Sequence, residues 1–276
     1  MITPALRSPF NILLAVDGSE HSRTAARFVR GLPLPSGSKV TALGVLTARN
    51  YYYAPGRAAL LAALDEAQAI LEGNGLEVHT GLRHGHPAEQ LSNFADDHPP
   101  DLIVVGAKGL RATLGILLGG VAQQVVEYAR WPVLVVRAPC AGLRRVLLVV
   151  DGSPHSQRAV DYLAQFPLPA TAEVRMMHVL PPLPQPNFAR LARPIGPELF
   201  PPLVTQREAE EAAVWQAEAD EREGQTLLAQ TLETLRAAGI EAASGLARGD
   251  AATEIIEYVK THEIDLVVAG SRGLSA

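Results

Sequence analysis

A chain of 276 residues, 47% hydrophobic and 19% charged, has the composition of an ordinary globular protein and is long for one compact domain. Its formal net charge of -5 disfavours non-specific attraction to nucleic acid or to an anionic membrane surface. The lone cysteine, Cys140, cannot close an internal disulfide, which fits a reducing cytoplasm.

The N-terminus, MITPALRSPFNILLAVDGS, has no basic region followed by an apolar stretch and a small-residue cleavage site, so export is not expected. No apolar run reaches the roughly 18 residues of a membrane span. ILLAV is a continuous aliphatic run, the pattern of a strand covered on both faces in a parallel sheet. It leads into DGS, where Ser19 is placed to cap a helix over SEHSRTAARFVRGL that gathers Ala25, Ala26, Phe28 and Val29 on one side. A second strand carries Val45 near its end. The tyrosine-rich NYYYAPGR, Asn50 to Arg57, reads as a loop covering an apolar surface. RAALLAALDEAQAILEGNG is a helix by its alanine and leucine spacing, closed by glycines suited to a C-cap. LEVHTGLRHG, DLIVVGA and WPVLVVRA are short strands separated by helical segments. Alternation of this kind predicts an α/β fold with a doubly wound parallel sheet and right-handed crossovers.

The second half repeats the first. NILLAVDGSEHSRTAARFVRGL from Asn11 matches RVLLVVDGSPHSQRAVDYLAQF from Arg145 at a constant offset of 134, which aligns Asp17 with Asp151 and Val45 with Val179. Downstream, DDHPPDLIVVGAKGL matches KTHEIDLVVAGSRGL at an offset of 164, aligning Asp101 with Asp265, Gly106 with Gly270 and Gly109 with Gly273. The two offsets differ by 30 residues, an insertion that falls in an arm over residues 181–238, proline-rich at first and then helical. The expectation is two tandem doubly wound domains, 1–140 and 141–276. The closing helix and strand of the first have no counterpart before Ala276.

In an open parallel sheet, ligands bind beyond the carboxyl ends of the strands. Asp17 and Asp151, Val45 and Val179, and Gly106 and Gly270 all map there. Each aspartate can receive a hydrogen bond from a ligand or close a turn that caps the next helix. Gly106 and Gly109 let backbone amides approach a ligand, Lys108 adds a positive charge, and Gly119 and Gly120 precede a helix whose first amides favour an anion. Three alternatives fare worse. His84 and His86 would share a strand face beside His79, but no cysteine or carboxylate stands in register to complete a metal site. Ser19 with His21, and Ser153 with His155, point in different directions at a helix start and read as capping segments. The glycine pattern is neither a Walker loop nor a Rossmann fingerprint.

LLAVDGSEHS, DLIVVGAKG, nine residues, GG and then WPVLVV together resemble the universal stress protein family, and the duplication resembles a tandem member of it. The resemblance implies the adenine nucleotide alpha-hydrolase-like fold, an internal pseudo-dimer, pairing through the last strand into a homo-oligomer, and a cytoplasmic role in stress or regulation. It implies ATP, with or without magnesium, as ligand. Ala15, Asp17 and Val45 would then meet the adenine and ribose, while Gly106, Lys108, Gly109, Gly119, Gly120 and Val121 would follow the phosphates. In the second unit the matching positions are Asp151, Val179, Gly270, Arg272 and Gly273. Gly120 departs from the pattern, standing where nucleotide-binding members carry Ser or Thr. No catalytic constellation is visible, so hydrolysis would be slow at most. The other reading is an interaction module that docks a partner through the inserted arm.

Overall fold

The computed structural model describes residues 9–48, 54–73, 75–109, 118–183 and 206–271. Tyr51 to Tyr53, the proline-rich stretch, Arg272 and Gly273 lie outside them. The chain divides into two compact units, one built on residues up to 143 and the other on 144–166 and 171 onward.

The first unit alternates strand and helix: β1 (Asn11–Val16), α1 (Glu20–Gly31), β2 (Lys39–Leu46), α2 (Ala54–Leu71), β3 (Glu77–His84), α3 (Pro87–Asp97), β4 (Leu102–Gly106), α4 (Gly120–Tyr128) and β5 (Val133–Val136). Its five parallel strands lie in the order β3-β2-β1-β4-β5. The second unit runs β6 (Arg145–Val149), α5 (Pro154–Gln165), β7 (Glu173–Leu180), α6 (Gln206–Ala237), β8 (Ala242–Arg248), α7 (Ala251–Thr261) and β9 (Leu266–Val268). Among the described residues its sheet has four parallel strands, β8-β7-β6-β9.

The aliphatic runs are central strands because both faces are covered: Leu13, Leu14, Ile103 and Val104 in one unit, and Val146, Leu147 and Leu148 in the other, are essentially inaccessible. Each large aliphatic side chain buried this way contributes roughly 1.5 to 3 kcal/mol. Register is fixed at the strand starts by a device used twice. Asp101 Oδ2 accepts the Asn11 amide at 2.7 Å, and Asp265 Oδ2 accepts the amides of Arg144 and Arg145 at 3.0 and 2.9 Å. Among the described residues no helix is long and apolar enough to cross a membrane.

Two readings need correction. The APGR of the tyrosine-rich stretch opens α2 instead of closing a loop, because Pro55 in a first helical turn sacrifices no intrahelical hydrogen bond. His84 and His86 share no strand face: β3 ends at His84, Gly85 turns the chain at φ 136°, and His86 becomes the N-cap position of α3. Where α2 has 18 residues, α6 has 32, so part of the insertion lengthens a helix.

Helix α7 starts at Asp250, whose Oδ2 accepts the Thr253 hydroxyl at 2.8 Å and the Thr253 amide at 3.0 Å. These two bonds, the hydroxyl foremost, hold its carboxyl below the usual carboxylate range. A depressed carboxylate stabilises the fold above its unfolded value and ceases to as pH falls through its folded value. The first-turn amides of α7 are therefore expected to lose hydrogen-exchange protection as the pH drops below about 4, the ordinary aspartate value. Asp250→Asn, which keeps an accepting oxygen without titrating, is expected to remove that acid dependence. An unchanged dependence would exclude Asp250 as its source.

Candidate functional site

The strand order of the first sheet reverses between β1 and β4, so the loops after these strands part and leave a crevice beyond their carboxyl ends. A cavity of about 510 Å³ occupies it, within the range of ligand pockets, roughly 300 to 1,000 Å³. Ala15, Asp17, Val45, Gly106, Lys108, Gly109, Gly119, Gly120 and Val121 all line it, so the loops after β1 and β4, the end of β2 and the start of α4 converge on one space.

The loop after β1 is a tight turn followed at once by a helix. Gly18 sits at φ 78°, a left-handed conformation suited to glycine, and Asp17 Oδ1 accepts the Ser19 amide at 2.9 Å. Ser19 Oγ accepts the Ser22 amide at 3.2 Å, capping α1, and donates to the Lys108 carbonyl at 3.1 Å. Asp17 thus closes the turn and lines the cavity at once. Ser19 is more than a cap, because it ties the glycine loop to the start of α1. The same turn recurs in the second unit: Gly152 lies at φ 78°, Asp151 Oδ1 accepts the Ser153 amide at 2.9 Å, and Ser153 Oγ accepts the Ser156 amide at 3.1 Å.

The loop after β4 is pinched at its neck. Gly119 N–H donates to the Ala107 carbonyl at 2.7 Å, which returns the chain beside Lys108 and Gly109 before α4 begins. Gly119 is the N-cap of α4 and provides no side-chain acceptor for the first amides of that helix. The glycines differ in what they do. A Cβ on Gly106 would stand 2.9 Å from the backbone of His21 and Ser22, so this glycine admits α1 against β4. A Cβ on Gly109 would stand 2.6 Å from Asp17 Oδ2, so this glycine keeps the loop against the aspartate. A Cβ on Gly120 would meet nothing within 4 Å.

The cavity has two characters. Leu43, Val45, Leu60, Leu91 and Val105 form an apolar wall, while Lys108 and the start of α4 present positive charge and amide donors. Such a space suits a flat apolar ring carrying an anionic tail, while glycine at 106, 109 and 119 lets the surrounding backbone close up around it. Asp17 is the one carboxylate among the described lining residues. No group of three or more His, Cys, Asp or Glu among the described residues is placed to hold a metal ion.

Several contributors escaped the sequence reading. Thr47, Leu60, Pro87 and Leu91 also line the cavity, and among the described residues the buried Thr47 hydroxyl has no hydrogen-bond partner. His21, set aside as a catalytic base, accepts the Ala138 amide on Nδ1 at 2.9 Å, which fastens the chain beyond β5 to α1. In the second unit Asp151 follows β6, Val179 lies in β7 and Gly270 follows β9. A Cβ on Gly270 would come within 2.8 Å of the His155 backbone, which repeats the role of Gly106.

Similarity to known proteins runs across both units. A universal stress protein of Methanocaldococcus jannaschii is 32% identical over 139 residues, which are 46% of this chain and 82% of that one, so such a relative corresponds to one unit. A solved universal stress protein of Archaeoglobus fulgidus matches over 94% of this chain and 84% of its own at 19% identity and a TM-score of 0.60, a likeness of fold. A universal stress protein solved in complex with cAMP is 28% identical, covering 47% of this chain and 98% of its own, with a TM-score of 0.36. Residues 10–137 and 142–276 each match the model of the universal stress protein family, and the chain belongs to that family as a tandem member.

Proposed function

We propose that the first unit binds ATP or a related adenine nucleotide in a stress-response or regulatory role. The observation that carries this reading is the convergence of the β1 loop, the end of β2 and the glycine loop with the start of α4 on one cavity, apolar at one side and donor-rich at the other. Ala15 and Val45 would flank the base, Asp17 would accept from a ribose hydroxyl, and Lys108 with the amides of Gly119, Gly120 and Val121 would take the phosphates. A magnesium ion would be held by phosphate oxygens, since the described residues supply no protein cage for it. With Asp17 the one described carboxylate in the wall, hydrolysis would be slow at most. Asp151, Val179, Gly270, Arg272 and Gly273 belong to the corresponding site of the second unit. The reading includes a cytoplasmic protein that pairs with a second copy.

Calorimetry with ATP tests it on the full chain and on Gly109→Trp. The parent is expected to bind, and the variant to lose binding while keeping its circular dichroism, because any side chain at 109 displaces Asp17 and an indole fills the crevice. No heat from the parent, or equal heat from both, would sink the reading.

A further inference from the structure

Among the described residues the outer end of α6 has no counterpart in the first unit. Helix α6 is 14 residues longer than α2, about 21 Å at 1.5 Å per residue. From Arg207 to Gln216 every described side chain except Ala213 is exposed. Val214 is 58% exposed and Trp215 68%, and the two share a shallow hollow with Glu210, Glu211 and Glu218. Between Gln206 and Glu218 four glutamates stand against one arginine, Arg207, which pairs with Glu211 at 2.9 Å, so a large aromatic face sits in a field that is negative on balance.

This end of the helix is held in place at its root. The Arg248 guanidinium, at the end of β8, donates to the carbonyls of Pro181 at 3.1 Å and Ala217 at 3.0 Å. It also pairs with Asp220 at 3.4 Å and Glu221 at 3.5 Å. Arg248 and Asp220 are mostly buried, 19% and 16% exposed, so this clamp is shielded where an ordinary surface pair is not. A helix anchored this way at Ala217, Asp220 and Glu221 has its backbone ordered there before anything binds, which lowers the cost of association.

We propose that the Val214 and Trp215 face of α6 is a docking surface for a basic segment of another protein, with Trp215 as the anchor. Charge complementarity selects the occupant. An arginine or lysine laid on the indole gains a cation–π contact while its neighbours meet the glutamates, and an aliphatic residue covers Val214. The same carboxylates repel an anionic membrane or nucleic acid. The surface belongs wholly to the second unit and goes beyond nucleotide binding.

A short synthetic peptide alternating arginine and leucine, and its glutamate-for-arginine counterpart, provide the probe. Binding is followed by the anisotropy of a fluorescent dye on the peptide, a readout that does not depend on Trp215. The basic peptide is expected to bind, more weakly as salt rises, with affinity falling on the order of tenfold in Trp215→Ala. The double variant Glu211→Gln, Glu218→Gln is expected to flatten the salt dependence, with ATP calorimetry unchanged in both variants. Equal affinity for the two peptides, no binding of either, or equal affinity in Trp215→Ala would overturn the proposal. So would loss of self-association in Trp215→Ala without peptide binding to the parent, which would make a second copy of the chain the occupant.

Discussion

Gly106→Ala is expected to lower the melting temperature of the first unit and weaken nucleotide binding together, while Gly270→Ala lowers that of the second unit and leaves binding at the first intact. The built Cβ at 106 stands 2.9 Å from His21 C and Ser22 N, and at 270 it stands 2.8 and 2.9 Å from His155 C and Ser156 N. These neighbours are helix backbone, which has no rotamer to change. The first turn of α1 or α5 must therefore shift away from the strand. Overpacking of this kind costs about 1 to 3 kcal/mol, or on the order of 5 °C for a unit of this size. In the first unit the shift also drags Ser19, whose hydroxyl bridges the Ser22 amide and the Lys108 carbonyl, so the glycine loop loses its tether as the helix moves. Scanning calorimetry resolves the two unfolding transitions and titration calorimetry the ATP affinity. A melting curve for Gly106→Ala that overlays the parent would show that α1 can yield without cost, and the packing account of this glycine would fail.

The two variants also show why some features were legible in the chain and others were not. Central strands, the capping serines and the repeat announce themselves through local pattern, and Asp101 with Asp265 is visible as an aligned pair before its role in fixing register is known. Contacts between distant elements leave no such mark. Gly44 in β2 faces Leu60 and Leu64 of α2, where a Cβ would approach to 3.2 Å. At the offset positions the second unit has His178 in β7 and Gly224 in α6, and a Cβ on Gly224 would stand 3.0 Å from the His178 ring. Small against large has become large against small, and His178 Nδ1 uses its place to donate to the Val150 carbonyl at 2.7 Å. Either substitution alone would overfill or empty the contact, yet the sequence shows only two unrelated differences. The same limit hid Leu60 as a wall of the cavity and the Ser19 bridge to Lys108. It also misplaced His86, because the left-handed turn at Gly85 ends the strand before the alternation can carry through.

Gly120→Ser is expected to tighten nucleotide binding. Position 120 is the first residue of α4 and lines the cavity, and the Cβ of any side chain there enters open space. A serine hydroxyl at this point can donate to a phosphate oxygen beside the α4 amides. A hydrogen bond to a charged acceptor contributes about 1.5 to 3 kcal/mol, equivalent to roughly 10- to 100-fold in affinity. Replacing glycine at this first helical position also lowers the conformational entropy of the unfolded chain, by about 0.4 to 1 kcal/mol, which raises the melting temperature whatever binds. Gly120→Ala separates the two effects, since alanine shares the backbone gain and lacks the hydroxyl. Both variants are expected to melt slightly higher than the parent, with Gly120→Ser alone binding ATP more tightly by calorimetry. Adenosine, which has no phosphate for the hydroxyl to meet, is expected to bind all three proteins alike. Equal ATP affinity in the serine and alanine variants would place the phosphates out of reach of position 120 and return the anion to Lys108 and the loop amides. A gain with adenosine equal to that with ATP would mean that α4 approaches the nucleoside instead of its phosphates, reversing the orientation of the ligand in the crevice.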